Sequence, residues 1–431
     1  MDQTDTRFGD RKLKVTWQNN ENSHPPKPVF TSQTKLLLLV YTLFIIAGAL
    51  SGTFVHVYLW KERNDLAMIG WFAIIQQIFM AFTFWIAGKW AKEGNKMNVL
   101  RVGLIMAVIF YMLVLILGRQ AVQYYPLLGC VQGLMAGFFW LAFNVVYFEV
   151  TGPEDRDRYN GWSGLLTSFS GMLAPWIAGF IISNMSGSGG YRIIFTLSLL
   201  VFAAGFGCSF FLKMRKPEGQ YDWTFGYRIL KRKNSNWRRL FPGMIAQGMR
   251  EGVFAFIITL LVYISTRNEL ALGNYAFIIS GVSLFSYYAV GHLLKHHHRK
   301  WGMLIGALAM TMVIFPFFWQ INYRTLLIFG VGTSLFIPLY FIPVTSVIFD
   351  LIGQEPDGVE KRVEYVVVRE IGINLGRILG TLMFLVTVSL TDSPLALTLL
   401  LFLIGSTPLV VWVLLLPWLP SRQTEKGLIR P

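Results

Sequence analysis

Residues 63–74 read RNDLAMIGWFAI and residues 267–278 read RNELALGNYAFI. The separation of roughly 200 positions recurs elsewhere: Gly48, Gly52 and Phe54 match Gly248, Gly252 and Phe254, and Phe148-Glu149-x-x-Gly152 matches Phe349-Asp350-x-x-Gly353. A repeat of that length is close to half of the 431-residue chain, so the molecule reads as two copies of one unit.

Hydrophobic residues make up 54% of the chain and charged residues only 14%, more apolar material than one water-soluble core needs. A membrane span takes about 20 mostly apolar residues. Twelve runs qualify, with approximate limits Leu36 to Trp60, Leu66 to Gly88, Met97 to Gly118, Tyr124 to Val150, Tyr159 to Ser183, Tyr191 to Leu212, Phe241 to Ile264, Leu270 to Leu294, Trp301 to Gln320, Leu326 to Leu351, Tyr365 to Leu390 and Pro394 to Trp418. Six spans per copy return the chain to its starting side, which makes the duplication parallel, about an axis along the membrane normal. The fold class expected is therefore an all-α membrane protein of twelve transmembrane helices in two pseudo-symmetric six-helix bundles.

The net charge of +15 would suggest nucleic acid in a soluble domain, but here the basic residues fall in short loops between apolar runs. With the N-terminus inside, 29 of the 38 Lys and Arg lie in inside segments and six in outside loops; Arg250, Arg369 and Arg377 lie within spans. That bias places both termini in the cytoplasm. The expected organisation is a cytoplasmic tail over 1–33, a bundle over 34–213, a basic linker over 214–240, a second bundle over 241–418 and a tail over 419–431. No signal peptide is expected at the N-terminus. Cys130 and Cys208 lie within apolar runs, so a disulfide framework is not expected.

Six spans plus six, a basic central loop and cytoplasmic ends resemble the major facilitator superfamily from about Leu36 to Trp418. The family's loop signature G-x-x-x-D-R-x-G-R-R is similar to Gly88-Lys-Trp-Ala-Lys92-Glu93-Gly-Asn-Lys96, with Lys92 where the acidic residue stands, and to its repeat copy Gly291-His-Leu-Leu-Lys295-His-His-His-Arg299-Lys300. Gly171-x-x-x-Pro175-x-x-x-Gly179 is similar to the Gly-Pro motif of the family's exporters, without the Gly before the proline. The chain resembles the YqgE-like group of Gram-positive bacteria and, more distantly, the lipoteichoic-acid anchor-lipid flippases. The resemblance implies secondary transport by alternating access.

Charges inside apolar runs mark the candidate pathway, because such residues face a bundle interior or water. Adjacent helical residues diverge by about 100°, so Arg250 is not expected to pair with Glu251, nor Arg369 with Glu370. Glu370, Asn374 and Arg377 share one face, with Arg369 turned aside. Glu251 or Glu370 is expected to carry a proton, since exchanging the partner of a buried carboxylate changes its protonation; the alternative is a permanent charge cluster. Trp140, Asn144, Gln132, His56 and Trp162 are expected to line the substrate cavity, which suits a bulky, partly apolar solute. Glu149 and Asp350 are expected to pair with Lys92 and Lys295 as a cytoplasmic gate, or to remain solvated. Pro316, Pro338 and Pro343 supply candidate kinks. His292, His296, His297 and His298 thicken a positive patch near anionic lipid, and no metal is expected there.

No phosphate loop, metal-ligand spacing or nucleophile motif is present, so neither ATP drive nor an enzyme is expected. The reading is proton-coupled export of an amphiphilic small molecule by a monomer in a bacterial cytoplasmic membrane, without a cofactor. The alternatives are a lipid or glycolipid flippase and a non-transporting scaffold.

Overall fold

The computed structural model describes residues 30–419 except 151–152, 215–216, 218, 234, 295, 356 and 359, with the backbone alone at 148–150, 153–158 and 296. Among the described residues it contains twelve helices long and apolar enough to cross a membrane. The first six are α1 (Ser32–Arg63), α2 (Leu66–Glu93), α3 (Lys96–Leu117), α4 (Tyr125–Val150), α5 (Pro153–Ser183) and α6 (Gly189–Ser209). A short helix α7 (Phe225–Lys231) lies in the linker. The second six are α8 (Trp237–Thr266), α9 (Glu269–Leu293), α10 (Arg299–Met312), α11 (Tyr323–Gln354), α12 (Arg362–Leu390) and a last span built from α13 (Pro394–Gly405) and α14 (Thr407–Leu415).

Local chemistry sets the helix ends. Thr31 caps α1 by accepting from the Thr34 amide, Asp65 caps α2 through the Met68 amide, and Asn268 caps α9 through the Leu270 and Ala271 amides. The α1–α2 and α8–α9 turns both open on a left-handed residue, Asn64 (φ 54°) in one and Arg267 (φ 51°) in the other. Asn64 thus corresponds to Arg267 and Asp65 to Asn268, one place off the match read from the sequence. Glu269 is thereby released from capping.

Proline acts in two ways. α10 stops at Met312 and continues as a 3-10 turn over Phe315–Phe318, because Pro316 has no amide to donate. By contrast, Pro338 and Pro343 lie inside an unbroken α11, and Pro175 inside α5.

The two bundles meet along two helix pairs. α2 packs on α12, where a Cβ at Gly70 would lie 2.6 Å from Leu385, and Gln77 accepts a 3.4 Å bond from Thr381. α5 packs on α9 through small residues: a Cβ at Gly179 would lie 2.5 Å from the Glu269 carbonyl oxygen, and one at Gly273 would lie 2.9 Å from that of Pro175. The end of the molecule that carries the α6–α8 linker is called the linker end below, and the opposite one the far end.

Candidate functional site

Within α8 and α12 lie the charged residues singled out from the sequence, Glu251 and Arg377 close to halfway along. Glu251 and Arg377 form an ion pair of 2.9 Å, with side chains 32% and 21% exposed. The other oxygen of Glu251 accepts a 2.7 Å bond from Gln247, one helical turn back. Arg377 also donates to Asn374 Oδ1 (3.2 Å) and to the Met80 sulfur on α2 (3.6 Å), while Asn374 donates to the Glu370 carbonyl (2.9 Å). A single cluster therefore reaches from α8 through α12 to the other bundle. The close approach that makes it possible comes from Gly248 and Gly252, whose added Cβ atoms would lie 2.0 Å from the Ile373 carbonyl oxygen and 2.6 Å from Arg377 Cα.

One expectation is corrected. Arg369 does pair with its neighbour Glu370, Nη1 to Oε1 at 2.6 Å. Neighbouring Cβ atoms on a helix diverge by about 100°, but a long Arg side chain can curl back around the helix to reach the adjacent carboxylate. Arg250 behaves as expected toward Glu251, whose two oxygens are taken by Gln247 and Arg377; its guanidinium lies over the Phe254 ring, 5.0 Å from the centroid.

The remaining cavity candidates divide. Trp140 and Asn144 are both half-buried on one face of α4, and Trp140 packs edge-on to Tyr41 and Phe44 of α1, with centroids 6.3 and 5.9 Å away. His56 is half-buried between Phe72 of α2 and Phe256 of α8, and its ring bonds to the Gly52 backbone. Gln132 is buried, with Oε1 unbonded. Trp162 stands apart at the linker end of α5, about half exposed. Gly48 and Gly52, which share the α1 face of His56, meet no atom within 4 Å of an added Cβ. Open space therefore borders α1 at the depth of the charge cluster.

At the linker end, Lys92 pairs with Glu364 of α12, at 2.5 Å, and each side chain is 1% exposed. Lys92 thus meets Glu364 rather than Asp350, while the expected contact with Glu149 falls outside the described side chains. Asp350 instead lies 3.9 Å from Arg299 and is mostly exposed, while Lys295 and the Glu149 side chain lie outside the described residues. The linker covers the Lys92–Glu364 pair. Asp222 donates its amide to Glu364 (3.2 Å), Tyr221 donates its amide to Glu93 (2.9 Å), and the Tyr221 ring lies against Gly88, leaving no room for a side chain there. Burial, with the Glu364 carboxylate beside it, pushes the Tyr221 hydroxyl above its usual range and keeps it neutral. The His292 ring, near this end of α9, bonds the Tyr288 carbonyl at 2.8 Å.

At the far end, Glu269 receives Lys61 of α1 (2.8 Å) and the Tyr191 hydroxyl of α6 (2.9 Å), again across the two bundles. Trp60 packs edge-on to Tyr263 there, and Arg267 lies over the Trp60 ring. Sequence reasoning missed Lys61, Glu269 and Glu364. Glu269 was visible as the acid of the second repeat, but its role depended on which residue caps α9. The partner of Glu364 lies 272 residues away, too far for any local pattern to register.

The sequence profile described as Major Facilitator Superfamily matches residues 37–355. Over 371 residues the chain is 39% identical to "Uncharacterized protein YqgE" of Bacillus subtilis (strain 168), covering 86% of each. Its fold superposes on a bacterial homologue of the iron transporter ferroportin in an outward-facing state with a TM-score of 0.64 at 14% identity, covering 90% of this chain and 99% of that one. A D-xylose-proton symporter gives 0.63 at 12% identity, covering 90% and 96%. The chain belongs to the Major Facilitator Superfamily and is a multi-pass membrane protein with the fold of its secondary transporters.

Proposed function

We propose that the chain is a proton-coupled exporter of an amphiphilic small molecule in the cytoplasmic membrane of a bacterium. Residues 34–213 rock against 241–418, and the linker end faces the cytoplasm, as the excess of basic residues on that side requires. The working unit is a monomer, since one chain carries both bundles.

The Glu251–Arg377 pair carries this reading. Its carboxylate borders internal space, and its guanidinium also touches Met80 on the opposite bundle. Protonating Glu251 removes the charge that holds Arg377, so a proton arriving at one carboxylate loosens a contact between bundles. The aromatic wall of Trp140, Tyr41 and Phe44 supplies an apolar surface for the solute. The test is transport in proteoliposomes under an imposed pH gradient. Glu251→Gln is expected to fold and to lose pH-driven movement; undiminished proton-driven transport by that variant sinks the coupling role.

A lipid flippase is favoured by one feature. Toward the linker end, Trp162 and Phe169 of α5 and Phe285 and Tyr288 of α9 are exposed, and Gly161, Gly164 and Gly291 meet nothing within 4 Å. A gap between α5 and α9 would admit a lipid sideways. Movement of labelled lipid between leaflets of reconstituted vesicles distinguishes this reading from export of a free solute.

A further inference from the structure

Five ionisable side chains lie within α8 and α12: Arg250, Glu251 and Arg377 near mid-helix, and Arg369 and Glu370 two turns closer to the linker end of α12. Glu251 is neutralised by Arg377 and Glu370 by Arg369, one guanidinium to each carboxylate. Arg250 is left over. Its Nε and Nη2 are buried and make no hydrogen bond. These are the two nitrogens of the side-on fork that receives a carboxylate or phosphate with two parallel bonds. Arg369 Nε is also unbonded, but it belongs to a guanidinium whose charge Glu370 already balances.

A second unmatched group lies beside it. The Tyr340 hydroxyl, on α11, is buried without a hydrogen-bond partner and lies within electrostatic range of Arg250. Two helices therefore present unsatisfied donors to one place at mid-membrane. Open space lies at the same depth along Gly48 and Gly52 of α1, and the Phe254 ring under the guanidinium provides apolar contact. A membrane-interior guanidinium with two unbonded nitrogens, whose nearest carboxylate, Glu251, is already bonded to Arg377, is unfavourable. An incoming anion removes that cost.

We propose that Arg250 and Tyr340 form the binding site for an anionic group of the transported solute, a carboxylate or a phosphate. Arg250 receives it through Nε and Nη2, and the Tyr340 hydroxyl donates a third bond. The inference rests on the transport reading above and specifies its substrate class: an amphiphilic anion.

The experiment measures binding to the purified full-length protein by calorimetry and by thermal unfolding. The probes are decyl phosphate and decanoate, with decyltrimethylammonium as the cationic control. Wild-type protein is expected to bind both anions and to unfold at higher temperature in their presence. Arg250→Gln is expected to weaken anion binding by about 10- to 100-fold, Arg250→Lys to recover part of the loss, and Tyr340→Phe to cost less than Arg250→Gln. Without probe, Arg250→Gln should be at least as stable as wild type, because it removes an uncompensated charge; a packing role over Phe254 predicts the opposite. Equal binding of decyltrimethylammonium, or unchanged anion affinity in Arg250→Gln, overturns the proposal. Phosphatidic acid in nanodiscs separates the two sources of the anion: saturation by decyl phosphate marks a free solute, and a response to phosphatidic acid alone marks a lipid headgroup, either result supporting the site. Should anion binding require Arg250 while nothing is moved in proteoliposomes, the transport reading fails and the site stands. Should a cation be moved under a pH gradient while no anion binds, the site falls and the transport reading stands.

Discussion

At the scale of single residues, the duplicated glycines show how one sequence pattern serves two purposes. Gly248 and Gly252 bring α8 against the backbone of α12, whereas Gly48 and Gly52 border open space. A methyl group at Gly248 would lie 2.0 Å from the Ile373 carbonyl oxygen, a backbone atom that can retreat only by moving the helix. Gly248→Ala is therefore expected to destabilise by roughly 1–3 kcal/mol or more, as overpacking does. Gly48→Ala should unfold at the wild-type temperature, and Gly48→Leu should stay folded yet transport more slowly, because it narrows the open space along α1. Thermal melts of the three variants check the contrast, and equal melting temperatures for the two alanine variants would contradict it. The sequence paired these glycines correctly, but it contained nothing to say which pair is closed. That depends on α12, which approaches α8 and has no counterpart at the same distance from Gly48. The curl of Arg369 onto Glu370 was illegible for a similar reason: periodicity gives the direction of a Cβ, not the reach of the six atoms beyond it.

Helices were the most legible scale, since an apolar run of about 20 residues has few other fates. Each of the twelve runs corresponds to a span, and the differences are local. α1 begins at Ser32 because Thr31 can cap it, the ninth span finishes as a 3-10 turn at Pro316, and the last divides at Ser406 ahead of Pro408. The linker helix α7 was not anticipated, for its seven residues are held by packing of Phe225 and Ile229 beneath α8 and α12 rather than by intrinsic helix stability. Contact between helices was legible only where small residues made it obligatory. Gly171 and Gly179 in α5 turn out to face α9, with an added Cβ 3.3 Å from Ser280 in the first case and 2.5 Å from the Glu269 carbonyl oxygen in the second. Gly179→Leu should therefore push the far ends of α5 and α9 apart, and with them the Glu269 carboxylate that holds Lys61 and Tyr191. Spin labels at the far ends of these helices should report a longer distance than in wild type; an unchanged distance would mean that the helices are held together elsewhere.

For the molecule as a whole, two ion pairs among the described residues join the bundles, one at each end, and in both a Lys of the first bundle meets a Glu of the second. They differ in burial. Lys92 and Glu364 are each 1% exposed and roofed by the linker, whereas the Lys61 side chain at the far end is 38% exposed. Removing one member of a fully buried pair leaves an uncompensated charge and costs ~3–5 kcal/mol, while the far-end pair, whose Lys61 reaches water although Glu269 is only 10% exposed, is worth less and is screened more by salt. Neither partnership could be read from the sequence, where the members stand 272 and 208 residues apart and meet only because the halves dock. The resemblance to a known loop signature did locate Lys92, and the acid that the signature lacks there is supplied by α12 instead. Lys92→Ala should consequently open the linker end, seen as faster thiol labelling of a cysteine placed beside Glu364, and the double exchange Lys92→Glu with Glu364→Lys should close it again. Lys61→Ala should shift the far end only slightly, and raising the salt from 0.1 to 1 M, which shortens the screening length from about 10 to 3 Å, should reproduce most of that shift in the wild-type protein while leaving the linker end unlabelled. Equal salt sensitivity at the two ends would show that burial does not set the strength of these pairs, and the closure of the linker end would then have to be attributed to packing of Tyr221 on Gly88 alone.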